Sequence, residues 1–212
     1  MNLKMRKLLL LLIIIVAGFL GYKYFFKKDA PRREEPKPLA VSKHSAVFNQ
    51  SLNAILADYY AMTDGFVKWD SVIVNKNAKN LEASLHNLKV EELKKDTTIY
   101  QTVIFPWDNC KLATSSIPST PEWEGKRRAL QDISENLRIL LITVKYDQGV
   151  AYWQECPMAF GEGMSANWLS AKKEIINPYL GSKDPQYGNS MLNCGETKAT
   201  IDFTAPDTIK VN

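Results

Sequence analysis

Two short stretches of this sequence carry side chains with soft sulfur atoms. Cys156 and Met158 lie in the first stretch, and Met191 and Cys194 lie in the second. Thiolate and thioether groups bind Cu(I) and similar soft metal ions in preference to hard cations. If the chain folds back so that the two stretches meet, these four side chains form a sulfur-rich site for Cu(I).

The same cysteines allow a different structure. Because the chain has three cysteines, Cys110, Cys156 and Cys194, they cannot all pair within one molecule. A disulfide between Cys156 and Cys194 would close a loop of about 38 residues and stabilise the fold by about 3–4 kcal/mol. Met158 and Met191 would then be ordinary packing residues, and Cys110 is expected to be a buried free thiol in either case. The sequence leaves both alternatives open.

Motifs that would indicate an enzyme or a nucleic-acid-binding protein are missing. The chain has only two histidines, His44 and His86, both far from the cysteine-containing stretches. There is no glycine-rich phosphate loop and no histidine-rich zinc motif. The formal net charge is +4, and much of the basic excess lies beside an apolar N-terminal run, where it suits anionic lipid headgroups. We therefore expect neither catalysis nor nucleic-acid binding.

The first 26 residues have the pattern of an export signal or a membrane anchor. The run from Leu8 to Leu20 is apolar and follows Lys4, Arg6 and Lys7. A spanning helix needs about 20 residues, which the segment reaches at Phe26. The alternatives are an uncleaved signal-anchor and a cleaved signal peptide. Residues 27–43 are rich in proline and charge and are typical of an extended linker.

Helices are predicted where apolar residues recur at steps of three and four. The first stripe comprises Phe48, Leu52, Ile55, Tyr59, Met62 and Phe66. The second comprises Val74, Ala78, Leu81, Leu85 and Leu88. The last comprises Leu130, Ile133, Leu137, Leu140, Leu141 and Val144. Asp70 or Ser71 is expected to cap the second helix, and Thr120 the last one. The segment 91–115 is less regular, and Pro106 is expected to break or kink it.

After Gly149 the helical period disappears. Short strands are expected at 150–153 and within 201–211, and the glycine- and proline-containing region 156–194 is expected to be a structured loop. The predicted fold is therefore mainly α: an antiparallel bundle of three or four helices in 44–149, with a loop-rich C-terminal cap in 150–212. Bundle and cap form one globular domain, 44–212, behind the N-terminal membrane helix.

Four motifs in the cap occur in an order that resembles a known family. They are Glu155-Cys156-Pro157-Met158-Ala159-Phe160, Trp168-Leu169-Ser170, Asn177-Pro178-Tyr179-Leu180-Gly181 and Met191-Leu192-Asn193-Cys194-Gly195. The order is similar to that of an uncharacterised envelope domain family of unknown function. This family also occurs fused to the periplasmic adaptor subunits of copper/silver efflux pumps. The present chain differs in having Glu155 at an aromatic position, Asn167 in place of the aromatic residue before Trp168, and an insertion at 182–189.

The resemblance implies a place and a partner for the protein. The place is the periplasmic face of the inner membrane, with a single-pass anchor, or the periplasm if the signal is cleaved. The partner is a metal-efflux system, and the cargo is Cu(I) or Ag(I). The alternative is a non-catalytic interaction domain of the envelope, whose cap is closed by the Cys156–Cys194 disulfide.

Overall fold

Residues 44–204, which the computed structural model describes, form four helices followed by a three-stranded antiparallel sheet. The helices are α1 (Ala46–Val67), α2 (Ser71–His86), α3 (Thr97–Ser116) and α4 (Trp123–Thr143). The strands are β1 (Val150–Cys156), β2 (Ala166–Ser170) and β3 (Glu196–Asp202). The predicted membrane segment 1–26, the linker 27–43 and the residues from 205 onward lie outside the described residues. Within 44–204 no helix is both long enough and apolar enough to cross a membrane.

Three of the four helices begin where a polar side chain satisfies free N–H groups of the first turn. Asp70 accepts hydrogen bonds from the backbone of Val72 and Ile73, which confirms the predicted cap of α2. Ser45 and Asp96 cap α1 and α3 in the same way. The predicted cap at Thr120 is wrong, because α4 begins at Trp123 without a side-chain cap.

The apolar stripes form the core of the bundle. Every residue of the three predicted stripes is buried. Their burial removes apolar surface from water on one side of each helix, and this is the main contribution that holds the four helices together. The buried residues of the helices and of the sheet belong to one continuous hydrophobic cluster.

Of the two outcomes expected at Pro106, a break or a kink in the helix, the break does not occur. Pro106 lies inside α3, which continues from Thr97 to Ser116. Val103, Pro106, Cys110 and Thr114 follow one another at steps of three and four, and all four are buried. Packing of this stripe against the neighbouring helices outweighs the cost of one missing backbone hydrogen bond.

The sheet has the order β2-β1-β3. The predicted strand at 150–153 is longer in the structure and reaches Cys156, while β2 lies within the region that was expected to be loop. The predicted C-terminal strand starts earlier than expected, at Glu196. The central strand is therefore β1, which pairs antiparallel with both neighbours. Cys156 lies at its end.

A buried tyrosine joins the bundle to the edge of the sheet. The Tyr59 hydroxyl of α1 lies 2.7 Å from Ser134 Oγ of α4, and Ser134 Oγ donates to the Leu130 carbonyl. The same hydroxyl accepts a hydrogen bond of 3.1 Å from the Leu169 N–H of β2. Since β2 is an edge strand, this bond satisfies an N–H that the sheet itself cannot pair. Burial raises the pKa of Tyr59, so its hydroxyl stays protonated.

We expect the Tyr59→Phe substitution to lower the free energy of unfolding by about 1–3 kcal/mol, because it leaves the Leu169 N–H buried without an acceptor. Urea denaturation followed by circular dichroism measures the change. Tyr60→Phe is the matched control, since the Tyr60 hydroxyl has no hydrogen-bond partner in the described part of the chain. Equal losses from the two substitutions would show that the Tyr59 hydroxyl does not hold the sheet.

Candidate functional site

The two sulfur-containing stretches meet at one end of the sheet. Glu155 of β1 pairs with Glu196 of β3, so the residues just before Glu196 run alongside the end of β1. Gly195 makes this approach possible. Its φ is +140°, and a Cβ atom there would lie 2.5 Å from the Glu155 carbonyl oxygen. A glycine at this position therefore lets Cys194 lie beside Cys156.

Strand alternation places Cys156 on a covered face of the sheet. Cys156 pairs with Ala166 and Gln154 pairs with Trp168, so these four side chains share one face. All four are buried. The loop 171–195 covers this face, since Gln154 Nε2 donates to the carbonyls of Lys172 and Lys173 and a Cβ atom at Gly195 would lie 3.3 Å from the Trp168 ring.

Asn177 connects the parts of this loop. Its side-chain Nδ2 donates to the Cys194 carbonyl at 2.9 Å, and its Oδ1 accepts from the N–H groups of Tyr179 and Leu180. Its backbone N–H donates to the Leu192 carbonyl, and its carbonyl accepts from Gly181. The residue is fully buried and all its polar groups are satisfied. Asn177 thereby holds the turn at 177–181 against the segment that carries Leu192 and Cys194.

The pKa of the Cys156 thiol depends on its burial and on neighbouring groups, Asn177 among them. Burial raises its pKa, and a negative charge at the neighbouring Cys194 raises it further. The side chain of Asn177, the backbone N–H of Met158 and the positive charge of Arg127 act in the opposite direction. The net effect is a raised pKa, so the Cys156 thiol is protonated at neutral pH.

The four predicted ligands are placed as follows. Cys156 is fully buried and Cys194 is half-buried. Met158 and Met191 are half-buried against the core, and the Met191 carbonyl accepts the N–H of Cys194. The structure therefore brings the two cysteines to a common neighbour, Asn177, and places one methionine close to each cysteine along the chain.

All three cysteines lie within the described residues, and all are free thiols. Cys110 is buried in the bundle, as predicted, and burial raises its pKa. In residues 44–204 no three His, Cys, Asp or Glu side chains gather into a group that could hold a metal ion. Within these residues, a metal ion at this end of the sheet would therefore have at most the two cysteines as ligands of these four types.

Two residues that shape the site were not singled out from the sequence. Asn177 precedes a proline, a combination typical of turns, but its role as a junction depends on contacts with residues up to 17 positions away. Gln154 is a polar residue inside β1 and is fully buried. A polar residue within an apolar strand is a signal that could have identified it.

Comparison with known proteins gives no further guide: no family model, no curated protein and no solved structure matches this chain. Its function must therefore be inferred from the chemistry of the cysteine pair and its surroundings.

We expect the Asn177→Ala substitution to lower the free energy of unfolding by at least about 2 kcal/mol, because the Cys194 carbonyl and two backbone N–H groups lose their partner. It should also speed up alkylation of the Cys156 thiol, which is measured by mass spectrometry of peptides after timed labelling. In the unchanged protein Cys194 should react first.

Asn193→Ala is the matched control. Asn193 lies in the same turn, is exposed and makes a single side-chain hydrogen bond, to the Ile175 carbonyl. If Asn193→Ala exposes Cys156 as strongly as Asn177→Ala does, Asn177 has no special role in closing the loop.

Proposed function

We propose that this protein is a membrane-tethered, soft-metal-binding module of the cell envelope. Its cargo would be Cu(I) or Ag(I), bound by Cys156 and Cys194 with Met158 and Met191 as thioether ligands. The observation that carries the proposal is the meeting of Cys156 and Cys194 at Asn177, although the two cysteines are far apart in the sequence. A fully buried thiol beside a half-buried thiol suits a soft ion that accepts few ligands.

The surroundings of the thiol pair favour a monovalent soft ion. Two thiolates around one monovalent ion leave a net negative charge, which the nearby Arg127 compensates. Hard cations such as Mg²⁺ and Ca²⁺ need several oxygen ligands, including water. The fully buried sulfur of Cys156 is not a ligand of this type. The site would therefore select a soft ion by ligand type.

The place of action follows from the sequence. The apolar segment at 1–26 and the linker 27–43 would hold the domain at the periplasmic face of the inner membrane. The resemblance of the cap motifs to a domain fused to adaptor subunits of copper/silver efflux pumps supports a role in delivering the ion to an efflux system or keeping the ion from other sites. Catalysis is not part of the proposal.

The same juxtaposition supports a second candidate function. In an oxidising compartment, Cys156 and Cys194 could join in a disulfide, which would close the cap of a non-catalytic interaction domain. The structure contains both as free thiols. Intact mass of protein isolated from the envelope, with and without alkylation, separates the two functions: a loss of two hydrogens indicates the disulfide, and three alkylated cysteines indicate free thiols.

Titration of the reduced, full-length protein with Cu(I) in the presence of a competing chelator tests the first proposal. We expect one ion per chain. Loss of both thiolates in Cys156→Ser plus Cys194→Ser should lower the affinity by at least 100-fold. Cys110→Ser is the matched control, since Cys110 is equally buried but lies in the bundle. Unchanged Cu(I) affinity in the double variant would exclude the site.

Binding should also depend on pH in a defined direction. Each thiol that is protonated before binding releases its proton, so the apparent affinity for Cu(I) should rise by about tenfold per pH unit for each such thiol. Since burial raises the pKa of Cys156, the rise should continue above the usual cysteine pKa of about 8.5. Competition titrations at several pH values measure the slope. An affinity that is constant from pH 6 to 8 would contradict thiol ligation.

A further inference from the structure

A second concave site lies beside the sulfur-containing end of the sheet. It is a pocket of about 420 Å³ between the start of α4, the β1–β2 hairpin and residues 180–187. Four aromatic rings line this aromatic pocket, those of Trp69, Trp123, Phe160 and Tyr187. Its volume lies in the range of small-molecule sites. The proposed metal site does not use these rings.

The tryptophan wall of the aromatic pocket is fixed in advance. The rings of Trp69 and Trp123 stack with their centroids 4.9 Å apart and an interplanar angle of 26°. Trp69 Nε1 donates to the Leu180 carbonyl at 2.8 Å, which holds the ring in place. A wall of stacked, flat rings favours a ligand with a planar apolar body, since planar groups stack in offset geometry on such surfaces.

Arg127 provides the positive charge of the aromatic pocket. One guanidinium nitrogen donates to the Tyr179 carbonyl at 2.8 Å, and the guanidinium carbon lies 5.6 Å from the Trp69 ring centre and 6.0 Å from that of Phe160. Among residues 44–204, no carboxylate comes within ion-pair distance of Arg127. Arg127 is therefore a half-buried cation, held between aromatic rings, whose charge no anion in the described structure contacts.

The acidic residues of the pocket are already engaged. Glu124 accepts two hydrogen bonds from Arg128, at 2.6 and 3.0 Å. Asp184 is buried, and its Oδ1 accepts the backbone N–H groups of Gln186 and Tyr187. Asp184 is near enough to influence Arg127 electrostatically without contacting it. Because Asp184 keeps its negative charge, the pocket suits a ligand with one negative charge, placed against Arg127, better than a ligand with several.

Two hydrogen-bond donors at the aromatic pocket lack acceptors. The Nε atom of Arg127 and the Nε1 atom of Trp123 are both buried, and neither has a hydrogen-bond partner within the described residues. The two residues are four apart on α4, so they lie on the same side of the helix. Both unsatisfied groups are donors. Together with the positive charge of Arg127, they favour a ligand oxygen that accepts hydrogen bonds and carries negative charge.

We propose that the aromatic pocket binds a small aromatic monocarboxylate. Its carboxylate would accept from Arg127 and Trp123, and its ring would stack on the tryptophan wall. Both N–H groups are buried, so the carboxylate reaches them only when the Arg127 side chain shifts, while the stacked rings of Trp69 and Trp123 stay in place. Binding should therefore change the tryptophan fluorescence.

The probe is 2-naphthoate, and its uncharged counterpart 2-naphthamide serves as the control ligand. Titration of the full-length protein in detergent, followed by calorimetry and fluorescence, gives both affinities. We expect 2-naphthoate to bind at least tenfold more tightly than 2-naphthamide. Arg127→Gln should remove this difference, and Trp123→Phe, which keeps a ring but removes the N–H, should weaken 2-naphthoate binding several-fold.

Arg138→Gln is the matched control variant. Arg138 also lies on α4, its Nε also has no partner in residues 44–204, and its guanidinium lies 5.1 Å from the Trp153 ring. It does not line the aromatic pocket. We expect this variant to bind 2-naphthoate as the unchanged protein does, and the Cys156→Ser plus Cys194→Ser variant to do the same, which separates this proposal from metal binding.

The proposal is overturned if 2-naphthoate does not bind, if it binds no more tightly than 2-naphthamide, or if Arg138→Gln weakens binding as much as Arg127→Gln. Thermal unfolding of each variant monitors the fold. Should Arg127→Gln fail to fold, Trp123→Phe decides: unchanged 2-naphthoate affinity in that variant contradicts the predicted carboxylate position.

Discussion

The C-terminal part of this protein depends on one buried asparagine. Five hydrogen bonds surround Asn177 and connect it to Tyr179, Leu180, Gly181, Leu192 and Cys194. The side chain acts as donor and acceptor at the same time, and this combination explains the residue type: aspartate would lose the donor to Cys194, and an aliphatic side chain would leave three backbone groups unsatisfied. A buried polar residue of this kind contributes to a unique arrangement because few alternatives satisfy all of its groups.

The bundle supports this arrangement from the other side. The amphipathic helices provide a rigid base, and the Tyr59 hydroxyl attaches β2 to it by satisfying an edge N–H. The β2 strand pairs with β1, and β1 ends at Cys156. The bundle therefore positions the sheet, and the sheet positions the loop 171–195. Residues in this irregular region thus hold fixed positions on a stable scaffold.

The parts of the fold that depend on local periodicity could be predicted from the sequence, and the parts that depend on distant contacts could not. The stripes of α1, α2 and α4 were predicted because an apolar residue every three or four positions requires a buried face. The continuation of α3 through Pro106 was not predicted, because packing of its buried stripe outweighs the tendency of proline to interrupt a helix. The β2 strand was missed because it is short and surrounded by turns, and its edge is completed by Tyr59 from another element. At the site, the sulfur residues were identifiable by type, whereas Asn177 acquires its role only when loop 171–195 closes.

Arg127 relates the two proposed sites to each other. Its guanidinium lies against the aromatic rings of the pocket, and its charge also favours the thiolate of Cys156. A carboxylate bound at Arg127 would neutralise part of this charge, so the thiolate at Cys156 would become less favourable. Since coupling between two binding sites is reciprocal, a metal ion held by Cys156 and Cys194 and a carboxylate in the aromatic pocket would compete for the same positive charge. If both proposals hold, Arg127 would therefore link the occupancy of the metal site to that of the aromatic pocket.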